Sequence, residues 1–370
     1  MNNRKPLRLM IPGPVTVHPE VLEALGCPVQ PHYGPAFRDL YLETLGLVRE
    51  VFNTTGDVLL MAGSGTAAID ASIGSLLQSG QKIIVGSNGF FGERLGEIAK
   101  SYGLEVVTVP GQAGTPLSPD AILKAVEANP DARAVAVVHL ETSTTILNPI
   151  NAIGKSLAGR GVYFIVDAVS SLGGVPFAID DWHIDLCAAA TQKCLGAPPG
   201  LAPVAISRRA WEEIDRQPVK GHGWFGDLRI WRKYFQEWGD WHPTPVTFSS
   251  NLLGALNVAL HQLKDEGIEV RLDRYRSLAC RLRAGLSGIG LELYTPEELM
   301  NPVLTAAWAP AGVPSGKIIS YLETCCGIKI SSGLGDLKEK LIRVGHMSPV
   351  VTESDIDDVV SGIDACLHSL

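Results

Sequence analysis

Lys193 is the residue whose surroundings best suit it to covalent chemistry. It stands in Ala188-Ala189-Ala190-Thr191-Gln192-Lys193-Cys194-Leu195-Gly196, with no other charge between Asp185 and Arg208. Small and apolar neighbours strip water from an ammonium and lower its pKa. The neutral amine can then attack a carbonyl and form a Schiff base. The following Ala197-Pro198-Pro199-Gly200 builds a rigid turn that can aim the side chain. A lysine on a surface loop is the alternative and fits such neighbours less well.

Two other segments complement it. Met61-Ala62-Gly63-Ser64-Gly65-Thr66 reads as a strand end, a tight glycine turn and a helix start. Exposed amides and small hydroxyls at a helix N-terminus make an anion cup suited to a phosphate. Val162-Tyr163-Phe164-Ile165-Val166-Asp167 is an apolar run that ends in a carboxylate. Such a carboxylate can hold a cation, for example a protonated pyridine nitrogen, although taken alone it reads more readily as the cap of the next turn. Phosphate cup, carboxylate and lysine, each at the end of a different strand, are together what pyridoxal phosphate needs. Gly63-x-Gly65-x-x-Ala68 also matches a dinucleotide fingerprint, but the next strand ends in Gly86-Ser87-Asn88, without the acidic residue that would hold a ribose. Arg343 lies in the apolar strand Leu341-Ile342-Arg343-Val344, where a charge needs a partner. A guanidinium binds a carboxylate bidentately, so a substrate carboxylate or an internal Asp or Glu is expected there.

These residues require a scaffold of strand ends. Short apolar runs at 58–61, 82–85, 105–109, 134–138, 162–166, 185–189 and 203–206 alternate with amphipathic stretches at 66–78, 92–102 and 119–128. That alternation predicts an α/β fold, a mostly parallel, doubly wound sheet with ligands beyond the strands' carboxyl ends. Four of the seven tryptophans, Trp224, Trp231, Trp238 and Trp241, fall in one stretch that reads as a lid or a subunit interface. Beyond it, helices at 252–266 and 268–287, strands at 302–308, 327–330 and 341–344, a helix at 315–324 and a last helix from Glu353 predict a smaller α/β domain. The expected division is an N-terminal arm over 1–20, a large cofactor-binding domain over 21–255 and a small domain over 256–370. The 370 residues, 46% hydrophobic and 19% charged, are globular in composition. A net charge of −8 without a basic stripe argues against nucleic acid or an anionic membrane as partner. Seven cysteines with no CxxC spacing suggest a reduced, cytoplasmic protein, and no metal site is expected. Residues 1–6 lack a signal-peptide core, and His368-Ser369-Leu370 is not a convincing peroxisomal address.

The sequence resembles the fold-type I, class V aminotransferases, in particular the alanine–glyoxylate and serine–glyoxylate group, and is also similar to pyridoxamine–pyruvate aminotransferase. The resemblance runs from Pro12-Gly13-Pro14 to the final helix and is carried by Asp167-Ala168-Val169-Ser170-Ser171-Leu172-Gly173-Gly174, by Gln192-Lys193 with Ala197-Pro198-Pro199-Gly200, and by Arg343-Val344-Gly345-His346-Met347. It implies a large domain with a seven-stranded sheet, a small C-terminal domain, pyridoxal 5'-phosphate as cofactor and a homodimer with active sites at the subunit interface. It further implies that Lys193 carries the cofactor and Asp167 pairs with its ring nitrogen. Val169 and Phe91 would lie on the two ring faces, and Thr142 would reach the ring hydroxyl. Ser64, Gly65, Thr66 and Gln192 would bind the phosphate, with Thr247 reaching that of the neighbouring subunit. Arg343 and Gly13 would meet the substrate. The implied reaction is ping-pong transamination between a small amino acid, such as alanine or serine, and glyoxylate or pyruvate. The alternative is transamination of free pyridoxamine with pyruvate. Thr144-Thr145 and His32-Tyr33-Gly34-Pro35 depart from the family pattern, which bears on the amino donor. A cysteine desulfurase is disfavoured, because Gln192 precedes the lysine and Ser331-Ser332-Gly333-Leu334-Gly335 has no cysteine. A nicotinamide dehydrogenase and a non-catalytic binding protein are the readings from other classes.

Overall fold

A computed structural model describes residues 7–218 and 223–369. The terminal residues read above for targeting, 1–6 and Leu370, lie outside it. The apolar runs become strands because Val and Ile fit a pleated surface covered on both faces. They are β1 (Asp57–Gly63), β2 (Lys82–Ser87), β3 (Glu105–Pro110), β4 (Ala132–Val138), β5 (Tyr163–Asp167), β6 (Leu186–Ala188) and β7 (Gly200–Ile206). All seven join one sheet in the order β1-β7-β6-β5-β4-β2-β3. Neighbours are parallel except at β7, which is antiparallel to β1 and β6. The carboxyl ends of the other six strands therefore share one edge, and the amino end of β7 joins them there, with Gly200 paired to Gly63.

Helices α1 (Pro19–Leu25) and α2 (Pro35–Phe52) precede the sheet. Crossovers between strands are α3 (Gly65–Leu76), α4 (Phe90–Ser101), α5 (Pro119–Ala128) and α6 (Ile150–Leu157), and α7 (Arg208–Arg216) and α8 (Leu228–Glu237) follow β7. Several begin where a serine accepts from an early amide, as Ser64 does from Ala67 and Ser118 from Ala121. Next come α9 (Ser250–Glu266) and α10 (Ile268–Gly288), then β8 (Leu304–Trp308), α11 (Ser315–Tyr321), β9 (Ser331–Ser332), β10 (Leu341–Gly345) and α12 (Glu353–His368). β10 is the centre of a three-stranded antiparallel sheet between β8 and β9. The helix expected over 315–324 changes character at Leu322, where a π turn runs to Cys326.

Two large apolar cores result, with a small third cluster that includes Val15, Cys194, Tyr275, Val303 and Met347. The first surrounds the seven-stranded sheet; the second joins α10 and α12 to the small sheet. A division at residues 255 and 256 falls inside α9, whose Leu256, Ala259 and Leu260 pack in the first core. Helical periodicity alone does not show on which core a helix rests. The segment expected as an arm is built into the second core through Met10. Arg8 and Leu9 pair in parallel with Ile328 and Lys329, and the Val15 amide donates to the Gln192 carbonyl. Among the described residues, no helix is long and apolar enough to cross a membrane.

Candidate active site

The shared strand edge gathers most of the expected residues around one cavity of about 150 Å³. Its walls include Ser64, Gly65 and Thr66 after β1, Phe91 in α4, Asp167 at the end of β5, Val169, and Gln192 and Lys193 after β6. Gly65 sits where a Cβ would lie 2.4 Å from Val169 Cγ2, so only glycine lets α3 start this close to the Asp167 turn. The Gln192 side-chain oxygen is buried and has no hydrogen-bond partner among the described residues. Asp167 is enclosed by protein but opens into the cavity; its Oδ1 accepts from the Val169 amide at 2.9 Å. Desolvation pushes its carboxyl up to about 6, against the pull of that amide and of Lys193.

Lys193 also lines a second cavity of about 450 Å³, together with Gly13, Phe91, Thr142 and Arg343. Its amine donates to the Pro12 carbonyl. Burial lowers its pKa to about 8, as the uncharged sequence around it suggested. Gly13, at φ +98°, comes so close that a Cβ there would be 2.5 Å from Lys193 Cδ. Arg343 projects from β10, where burial lowers its pKa to about 10. Its Nε donates to the Ser332 carbonyl at 2.7 Å and its Nη1 to the Thr142 carbonyl at 2.5 Å. Among the described residues no carboxylate pairs with it, which removes the internal Asp or Glu considered from the sequence.

The model for the family aminotransferase class-V matches residues 24–359. The chain belongs to the class-V aminotransferases. An uncharacterized aminotransferase of Methanocaldococcus jannaschii is 39% identical, with 98% of this chain and 93% of that protein covered. The crystal structure of an alanine–glyoxylate aminotransferase from Nostoc superposes with a TM-score of 0.94 at 32% identity, covering 99% of this chain and 96% of that one. That of pyridoxamine–pyruvate aminotransferase from Mesorhizobium loti gives 0.92 at 28% identity, covering 100% and 94%. The doubly wound fold expected from the sequence is that of these enzymes.

This aminotransferase uses pyridoxal phosphate, the cofactor of its class, and the first cavity fits it. The Gln192 oxygen, unpaired among the described residues, and the first turn of α3 with Ser64, Gly65 and Thr66 face one space, where helix-start amides lack intrahelical acceptors. Asp167 is a desolvated acid with no ion-pair partner among the described residues, the partner that a positive ring nitrogen would supply. Thr142 is buried and lines the second cavity and not the first, while Thr247 is exposed and lines neither. Thr144 and Thr145 are buried away from both, with Thr145 bonded to Thr295 at 3.1 Å.

Two side chains escaped the sequence reading. Glu141 is fully buried: Oε2 accepts from the Phe91 and Gly92 amides, each at 3.0 Å, and Oε1 from the Ser143 amide and hydroxyl. It thereby fixes the start of α4, and burial still raises its pKa despite four donors. A lone carboxylate in the otherwise neutral His139-Leu140-Glu141-Thr142-Ser143 was the available signal. Arg94 lines the first cavity and lies 5.0 Å from the Phe91 ring centroid; one helical turn after Phe91, it was recoverable from spacing.

Proposed function

We propose that this enzyme transfers an amino group between a small amino acid, such as alanine or serine, and a small 2-oxo acid, glyoxylate or pyruvate. The observation that supports the reading is that Lys193 and Phe91 form the common wall of both cavities, so that one amine stands between the N-terminus of α3 and a guanidinium that, among the described residues, is bonded to carbonyls and has no carboxylate partner. The relatives named for glyoxylate and pyruvate chemistry support the substrate class.

Lys193 is the residue that would bond to the cofactor's aldehyde. Ser64, Gly65, Thr66 and Gln192 would hold the phosphate, with Thr247 serving the neighbouring subunit. Asp167 would face the ring nitrogen, Val169 and Phe91 the ring faces, and Thr142 the ring hydroxyl. When bound, pyridoxal phosphate supplies an electron sink for the charge left when the substrate's α-proton departs. Arg343 orients the substrate through its carboxylate, with Gly13 leaving room beside it. Lys193 Nζ, its proton affinity lowered by burial, takes the α-proton and holds it for return. Asp167 keeps a negative charge in a dry site, where it acts strongly on a nearby positive one.

Borohydride reduction of the yellow holoenzyme followed by peptide mapping tests the assignment: the pyridoxyl label is expected on Lys193 and nowhere else. A donor screen with glyoxylate and pyruvate, following the cofactor's absorption, tests the substrates. The competing reading, free pyridoxamine with pyruvate, draws on the likeness to that enzyme. The intact N-terminus of α3 favours a retained phosphate ester instead, and supplying free pyridoxamine with pyruvate, without the phosphate cofactor, separates the two. We assign the active unit as a homodimer, supported by exposed Tyr33, Trp224, Trp238 and Trp241, whereas Trp231 is packed in the first core. Seven unpaired cysteines support a reducing, cytoplasmic setting.

A further inference from the structure

We propose that Lys329 is a second anion-binding point of the substrate cavity, so that the enzyme favours substrates with a negative group on the side chain as well as the α-carboxylate. This rests on reading Arg343 as the clamp for that α-carboxylate.

Ile328 and Ile330 are buried in the second core. Alternation along an extended segment turns Lys329 and Ser331 the opposite way. Ser331 is the register partner of Arg343 across β9 and β10, and Ile342 and Val344 on either side of Arg343 also face the core. Lys329, Ser331 and Arg343 thus share one face, and all three line the 450 Å³ cavity. Diagonal neighbours on such a face are about 7–8 Å apart at Cα, a span two flexible cationic side chains can close around one dianionic molecule. The cavity also lies in the range, roughly 300–1,000 Å³, of sites that hold ligands far larger than glyoxylate or alanine.

Lys329 is held but not saturated. Its amine donates to Glu323, which lies in the π turn after α11. Both side chains are over a third exposed, and an ion pair this wet is weak and exchangeable. An ammonium has three donors, and Glu323 is the only acceptor for them among the described residues. A substrate carboxylate, phosphonate or sulfonate can therefore take Lys329 without breaking a buried network.

Aspartate and asparagine, equal in shape and different in charge, are the probes. The half-reaction of the pyridoxal-phosphate holoenzyme is followed by cofactor absorption with each, and with alanine. The wild type is expected to favour aspartate over asparagine by about tenfold in kcat/KM, the scale of one charge-assisted hydrogen bond. Lys329→Met should bring that ratio to about one, and Glu323→Gln should raise it. Equal rates for aspartate and asparagine in the wild type, or a ratio that survives Lys329→Met, overturn the proposal even while alanine reacts normally. If no amino acid converts the cofactor, the small-substrate reading falls too, and the two failures are thereby distinguished.

Discussion

Gly13 and Lys193 compete for the same space. The missing Cβ of Gly13 is what lets the Lys193 chain pass, since a methyl there would lie 2.5 Å from Cδ and 2.8 Å from Nζ. At φ +98° the position is also one that side-chain-bearing residues rarely adopt. Gly13→Ala is expected to leave the circular dichroism of the fold intact and to lower kcat by about 10²-fold, the scale of a reacting group displaced by about an ångström. A variant with wild-type turnover would show that the amine works from another position.

Lys193→Ala should retain the ability to bind the cofactor through the α3 cup while losing the borohydride-stable label. Loss of its proton transfer alone is worth about 10²–10⁴ in rate. Single-turnover absorbance with an amino donor is the measurement, and near-normal transamination would refute the assignment.

Burial sets a pH dependence for cofactor attachment. Lys193 must be neutral to react with an aldehyde, and its pKa is about 8, so attachment to the apoprotein should accelerate with rising pH and level off above that value. Asp167, raised to about 6, must be ionised to hold a positive ring nitrogen, so cofactor affinity should fall as pH drops through 6. Because its pKa is raised on folding, ionisation of Asp167 costs the apoprotein stability between the ordinary carboxylate range and pH 6, with the full cost above it. Asp167→Asn should abolish that slope in a denaturation series and reduce turnover by orders of magnitude; a loss under about threefold would remove the carboxylate from the electron-sink role.

Arg343→Lys preserves charge and removes the planar fork. A loss of about 10–100-fold in kcat/KM for carboxylate donors is expected, corresponding to roughly 1.5–3 kcal/mol for a hydrogen bond to a charged group. An unchanged KM and kcat for alanine would place the substrate's carboxylate elsewhere.

Glu141→Gln would set an amide NH₂ against the Phe91, Gly92 and Ser143 donors that the carboxylate now accepts. A buried donor left unmatched costs about 1–3 kcal/mol. Both the denaturation midpoint and the cofactor's absorption band should shift, because Phe91 moves with the start of α4. A stability loss without a spectral change would confine Glu141 to the fold.

The sheet was legible in the sequence because its strands are short apolar runs, several of them rich in Val and Ile and closed by Gly, Asp or Ser, as at β2 and β5. Helices α1, α2 and α6 to α8 were not anticipated. α2 is the clearest instance: Gly34 and Pro35 start it without a side-chain cap, and its apolar positions look like those of any packed segment. Lys193, Asp167 and Arg343 stood out because charges among apolar neighbours are costly unless used. Gly13 drew notice only through resemblance, since its role depends on a contact 180 positions away. Nothing in the sequence around Lys329 and Glu323 singles them out; only the pairing of β9 with β10 turns that face toward Arg343.

The stretch from Arg8 to Val15 bridges two bodies. At one end Arg8 is tied to Asp355 and Asp358 of α12; at the other, Val15 is bonded to the turn bearing Gln192. Between them, Pro12 accepts from the reactive amine itself. This strap thus ties the smaller lobe to the turn that carries Lys193. A protein trimmed from the front by a dozen residues would lose Met10 from the second core and the Arg8–Leu9 pairing together with the Pro12 carbonyl, so the smaller lobe and the setting of Lys193 should be disturbed at once.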